Sequence, residues 1–177
     1  MYVHREYKQI IDLGSIVRNL KELLDSVVER FTNIQFKKEN SLDNIVEKYS
    51  TNKEFLEKLD DIVNLIDELV DRLDVLNDFQ EEYLACLSLQ NMVKYVVGDI
   101  RKYILFSSFI KDSISSFYNL ITSKIDLMKK GRIDDYNKVL SDYNITLYKQ
   151  EEFFYLNIYE KTSEHDDLIK EVTNILW

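Results

Sequence analysis

Apolar residues recur along this chain at alternating spacings of four and three. Leu13, Val17, Leu20, Leu24, Val27, Phe31 and Ile34 form the first such series. That period puts them on one stripe of an α-helix, and the four-three alternation is the heptad seam of a helix lying along another helix. Arg18, Lys21, Glu22, Asp25, Glu29 and Arg30 fill positions between them. The phase slips around Lys37–Ser41, and Leu42, Ile45 and Tyr49 resume it one position late. Such a slip reads as a stutter in one helix or as a short loop. A helix start follows at Ser50-Thr51-Asn52-Lys53-Glu54, where Thr51 is expected to cap the Glu54 N–H and Glu54 to reach back, a capping box.

A second seam runs through Phe55, Leu59, Ile62, Ile66, Leu69, Leu73 and Leu76. Its apolar face then broadens through Tyr83, Leu84, Leu87, Met92, Tyr95 and Val96. It continues through Ile104, Leu105, Ile110, Ile114, Phe117, Leu120 and Ile121. Gly98 reads as a bend, and Lys129-Lys130-Gly131 as the stop, with lysines at the helix C-terminus and a left-handed glycine beyond it. A single helix over 51–130 would be ~120 Å long. A third helix opens with Asp134 and Asp135 in its first turn. Its seam is Tyr136, Leu140, Tyr143, Leu147, Phe154 and Ile158, with Gln150 as the polar member. Leu168, Val172, Ile175, Leu176 and Trp177 mark a last short amphipathic piece.

The pattern therefore predicts one all-α domain over 1–177, an elongated antiparallel three-helix coiled coil. Its helices fall at about 5–36, 51–130 and 132–162, with a short piece at 166–177. A thin rod cannot cover the broad face of its long helix, so a homodimer is expected. Its interface is expected to use Leu84, Leu87, Met92, Tyr95, Val96, Ile104 and Leu105.

Composition sharpens this picture. Proline is absent and there are only 3 glycines, so few positions must break a helix. A net charge of -9 disfavours nucleic acid as a partner. The single Cys86 excludes an internal disulfide and suits a reducing compartment. Met1 to Glu6 lead into no apolar run, so no secretory signal is expected, and the richest apolar stretch, Tyr103 to Ile110, is too short for a bilayer-spanning helix.

Chemistry is sparse. His4, His165 and Cys86 lie far apart in sequence, with no partner at metal-ligand spacing. Gly14, Gly98 and Gly131 are too scattered to form a phosphate loop, and no nucleophile has a base beside it. The acidic pairs Glu81-Glu82 and Glu151-Glu152 lack the histidine of a di-iron motif and read as solvated helix faces. No cofactor and no enzymatic activity are expected.

Charge is unevenly spread. Residues 39–90 hold fourteen acids and four bases, a net of -10, whereas residues 91–149 hold ten bases and six acids, a net of +4. Lys124, Lys129, Lys130, Arg132 and Lys138 gather at one predicted turn, which makes a basic tip suited to an anionic membrane. Three long helices with a basic tip between the second and third resemble a BAR domain, specifically the sorting-nexin type with the Vps5-like retromer subunits. The local likeness lies in Arg132-Ile133-Asp134-Asp135-Tyr136-Asn137-Lys138-Val139-Leu140 and in Thr146-Leu147-Tyr148-Lys149-Gln150-Glu151-Glu152-Phe153, similar to the start of that family's last helix. The resemblance implies a peripheral, curvature-sensing scaffold on endosomal or other intracellular membranes. It would pair with itself or a related subunit, touch anionic or phosphoinositide lipid through the tip, and add Arg101 and Lys102 as contacts on the face. The competing expectation is a helical-bundle adaptor that grips a helical protein partner.

Overall fold

The structure, a computed structural model, describes residues 2–32 and 42–162. Among these residues six α-helices form: α1 Tyr2–Thr32, α2 Leu42–Ser50, α3 Lys53–Asp74, α4 Gln80–Val97, α5 Ile100–Lys129 and α6 Tyr136–Thr162. The expected pieces at 33–36 and 166–177 lie outside the described residues.

Each seam folds inward. Leu13, Val17, Leu20, Leu24 and Val27 of α1 are fully buried, as are Phe55, Ile62, Ile66, Leu69 and Leu73 of α3, with Leu59 nearly so. Burying such a side chain stabilises by roughly 1.5–3 kcal/mol relative to leaving it in water, so these stripes dominate the fold's energetics. Helices α1, α3, α4 and α5 close a ring in which each packs on the next and α5 returns to α1. Neighbours in the ring run antiparallel. Lys58 of α3 reaches Ser26 of α1, Gln90 of α4 reaches Asp67 of α3, Lys124 of α5 reaches Glu82 of α4, and Lys111 of α5 faces Asp25 of α1. This is an up-and-down four-helix bundle. Helices α1 and α5 approach closely at Gly14, where an added Cβ would sit 3.3 Å from Ile125 Cδ1. The short α2 packs on α5 and α3, and α6 lies outside the ring, chiefly on α5 and also on α4.

The long helix expected over 51–130 is instead three helices folded back on one another. The first reversal follows α3. Leu76 is extended (φ -99, ψ 109), Phe79 is fully buried beneath the turn, and the Gln80 side chain donates to the Leu76 and Asp74 carbonyls. The second reversal takes two residues. Gly98 ends α4, and Asp99, extended at φ -141 and ψ 120, caps α5 by accepting from the Arg101 N–H at 2.9 Å. Gly98 is thus a helix end and not a bend within one. The seam looks continuous in sequence because buried positions carry on through the reversal at spacings of three and four: Leu73, Leu76, Phe79, Glu82, Cys86 and Leu89. Buried positions in α4 are Glu82, Ala85, Cys86, Leu89, Met92, Val93 and Val96. Tyr83 and Leu87 are only half-buried, and Leu84 is exposed. The broadening is a real property of α4, whose buried face is wide because it packs on both α3 and α5.

Two smaller expectations resolve differently. The start of α3 is capped by Asn52, whose Oδ1 accepts from the Phe55 N–H at 3.0 Å, and not by Thr51. At the other stop, Gly131 takes φ 68 as expected. Its N–H bonds to the Met128 carbonyl and the Arg132 N–H to the Leu127 carbonyl, which is the Schellman pattern. Asp134 and Asp135 lie in a single 3-10 turn, Ile133–Asp135, just before α6.

Candidate functional site

Helix α6 has an apolar inward face and an outward face on which exposed apolar residues alternate with polar ones. Its inward face carries the expected seam: Tyr136, Tyr143, Leu147 and Phe154 are buried, and Leu140 is half-buried. Phe154 meets Phe109 in a stacked arrangement and Phe106 and Tyr95 edge-on. Ser88 of α4 donates to the Glu151 carboxylate at 2.5 Å, tying the helix down on that side. The outward face carries a second series, absent from the sequence-based expectations. Ser141, Ile145, Tyr148, Glu152 and Tyr155 follow one another at spacings of four, three, four and three, with Leu156 beside the last. Ile145 is 55% exposed, Tyr148 69%, Tyr155 49% and Leu156 55%. A groove of about 570 Å³ runs along this face from Asn137 and Leu140 to Glu152. The spacing is legible in the sequence, but one seam already accounts for a helix and hides a second.

At the N-terminal end of α6 a second cavity, about 630 Å³, opens between the α3–α4 reversal, the end of α5 and the start of α6. Its floor is a buried ion pair. Lys124 Nζ lies 2.6 and 3.1 Å from the two Glu82 oxygens and also donates to the Asp78 carbonyl. Its charge faces the Phe79 ring at 4.1 Å and the Tyr136 ring at 5.1 Å. Burial raises the Glu82 pKa above the ordinary carboxylate range, against the opposing pull of Lys124. Burial and the neighbouring Glu82 hold the Tyr136 hydroxyl protonated; it makes no hydrogen bond of ordinary geometry.

The bases expected at a membrane-facing tip have different surroundings. Lys124 is not a tip residue: it is 6% exposed and committed to Glu82, because its stem points from α5 into the cleft between helices. Lys130 pairs with Asp126 at 3.0 Å, Arg132 with Asp135 at 2.9 Å and Arg101 with Asp43 at 2.7 Å. Lys102 lies 4.0 Å over the Tyr95 ring. Lys129 and Lys138 are exposed at the turn. The residues expected at a dimer interface also divide. Met92, Val96 and Ile104 are buried in the chain's own core, since the fold-back of α4 on α3 and α5 covers them. Leu87 and Leu105 are half-buried, while Leu84 and Tyr95 are exposed at 64% and 38%.

Among the described residues no group of three or more His, Cys, Asp and Glu side chains could hold a metal ion, and no helix is long and apolar enough to cross a membrane. Cys86 is buried, and burial raises its thiol pKa. Comparison with known proteins finds no match among protein families, curated proteins or solved structures.

Proposed function

We propose that this protein is a non-catalytic helical-bundle adaptor that grips a helical protein partner along the outer face of α6. The observation that carries this reading is the exposed apolar group Ile145, Tyr148, Tyr155 and Leu156, which falls on one solvent-facing stripe with the polar Ser141 and Glu152 between. A four-three alternation is matched by a second helix lying nearly parallel to the first, whose side chains fit between these knobs. The stripe from Asn137 to Leu156 is ~29 Å long, enough for about five turns of partner helix. The four-helix ring beneath supplies a rigid support, and the Phe154 contacts and the Ser88–Glu151 bond fix the helix on it.

A membrane scaffold of the BAR type is the weaker reading. The long central helix that such a scaffold needs is folded back as α3, α4 and α5, and Lys124 of the expected tip is buried against Glu82. The two readings separate experimentally. Photo-crosslinking residues placed one at a time from 141 to 156 in cells of the source should give adducts with a period of three to four, strongest at 145, 148, 152 and 155. Adducts without that period would overturn the adaptor reading. So would sedimentation with anionic liposomes that is abolished by changing Lys129, Lys130 and Arg132 to Glu.

A further inference from the structure

The groove along α6 and the cleft at its N-terminal end adjoin each other. Asn137 and Leu140 line both. A helix seated on the outward stripe therefore ends beside the cleft. The cleft is acidic at its rim, where Asp78 and Glu81 are exposed. Among the described residues that line it, Lys124 is the one base, and it is already committed to both oxygens of Glu82 and to the Asp78 carbonyl. The wall thus carries three carboxylates against one ammonium. Opposite the acids, Met128, Ile133 and Leu140 offer an apolar flank. A long aliphatic stem ending in a cation matches this arrangement, with the stem on the apolar flank and the charge at the rim. The space, about 630 Å³, is ample for one such side chain and some water.

We infer that the partner helix carries a lysine or arginine at the end that lies against the α5–α6 turn, and that this side chain seats in the cleft between Asp78 and Glu81. The inference rests on the adaptor reading and adds to it the direction and one specificity position of the partner. The apolar stripe supplies contact area. The acidic cleft selects register, because sliding the partner by one turn withdraws the cation from its carboxylates.

A displayed library of helical peptides tests this on the intact protein. Its heptad seam of Leu and Ile is fixed, and the flanking and terminal positions are random. Selected peptides should lose binding to I145D/Y148D. They should also be enriched in Lys or Arg at one terminal position. Binding of those peptides should fall about tenfold on D78N/E81Q, while peptides with a neutral residue there should bind both forms equally. Peptides that depend on Ile145 and Tyr148 but show no basic preference would overturn the inference and leave the adaptor reading standing. A basic preference that survives D78N/E81Q would overturn it in the same way. Recovery of no peptide that depends on Ile145 and Tyr148 would overturn both.

Discussion

At Lys124 and Glu82, two opposite charges 2.6 Å apart share a site almost closed to water, at 7% and 1% side-chain exposure. The raised Glu82 pKa means that desolvation outweighs the attraction of Lys124. Such a pair specifies an arrangement without adding to stability, whereas removing one member strands the other. Lys124→Met is therefore expected to destabilise by ~3–5 kcal/mol at neutral pH, and E82L/K124M to equal or exceed the parent by ~1–4 kcal/mol, read by urea denaturation. The pH dependence has a definite sign. Glu82's folded pKa lies above its unfolded one, so its contribution favours the fold most below the ordinary carboxylate range and fades as pH rises through the folded value. Without Lys124 that elevation grows, so the deficit of Lys124→Met should shrink on acidification. A deficit that widens in acid would refute this account of the pair.

At the scale of the elements, the helix ends decide the architecture. Asn52 starts α3, Asp99 starts α5 and Gly131 stops it. Asn52→Ala should cost about 1 kcal/mol, since the Phe55 N–H loses its acceptor, whereas Thr51→Ala should stay within ~0.5 kcal/mol. Thermal unfolding of the two variants side by side checks it. The seams are legible in the sequence because a buried stripe imposes its period on it: every seam residue of α1 from Leu13 to Val27 and of α3 from Phe55 to Leu73 is buried. The reversals are not legible, for three local reasons. No proline or glycine marks the turn at Leu76–Phe79, and its stability comes from the buried Phe79 ring and the Gln80 amide. Asp99 resembles any helix-surface acid until its backbone is seen to be extended. In α4 the buried Glu82 occupies a seam position, and its partner Lys124 is 42 residues away, so a core position reads as solvent-facing.

Viewed as a whole, the molecule is an up-and-down ring of four helices with a fifth long helix, α6, laid against it. That arrangement redistributes what the sequence pattern promises. The apolar excess of α4 and the start of α5 is largely absorbed by the chain's own core, as Met92, Val96 and Ile104 show. Of the large apolar side chains left exposed, α6 carries the densest group, Ile145, Tyr148, Phe153, Tyr155 and Leu156, while Leu84 and Tyr95 of α4 also stay outside. The basic cluster is likewise altered by folding, since Lys124 turns inward and Lys130, Arg132 and Arg101 meet acids. Fold-back of 51–130 is thus the event that sets both the core and the exposed working face. Small-angle scattering of the purified chain tests it most directly. The account predicts a particle on the order of 60 Å in its longest dimension, set by the ~45 Å span of a 30-residue helix such as α5. A curved particle on the order of 150 Å, built from a helix of ~120 Å over 51–130, would contradict it.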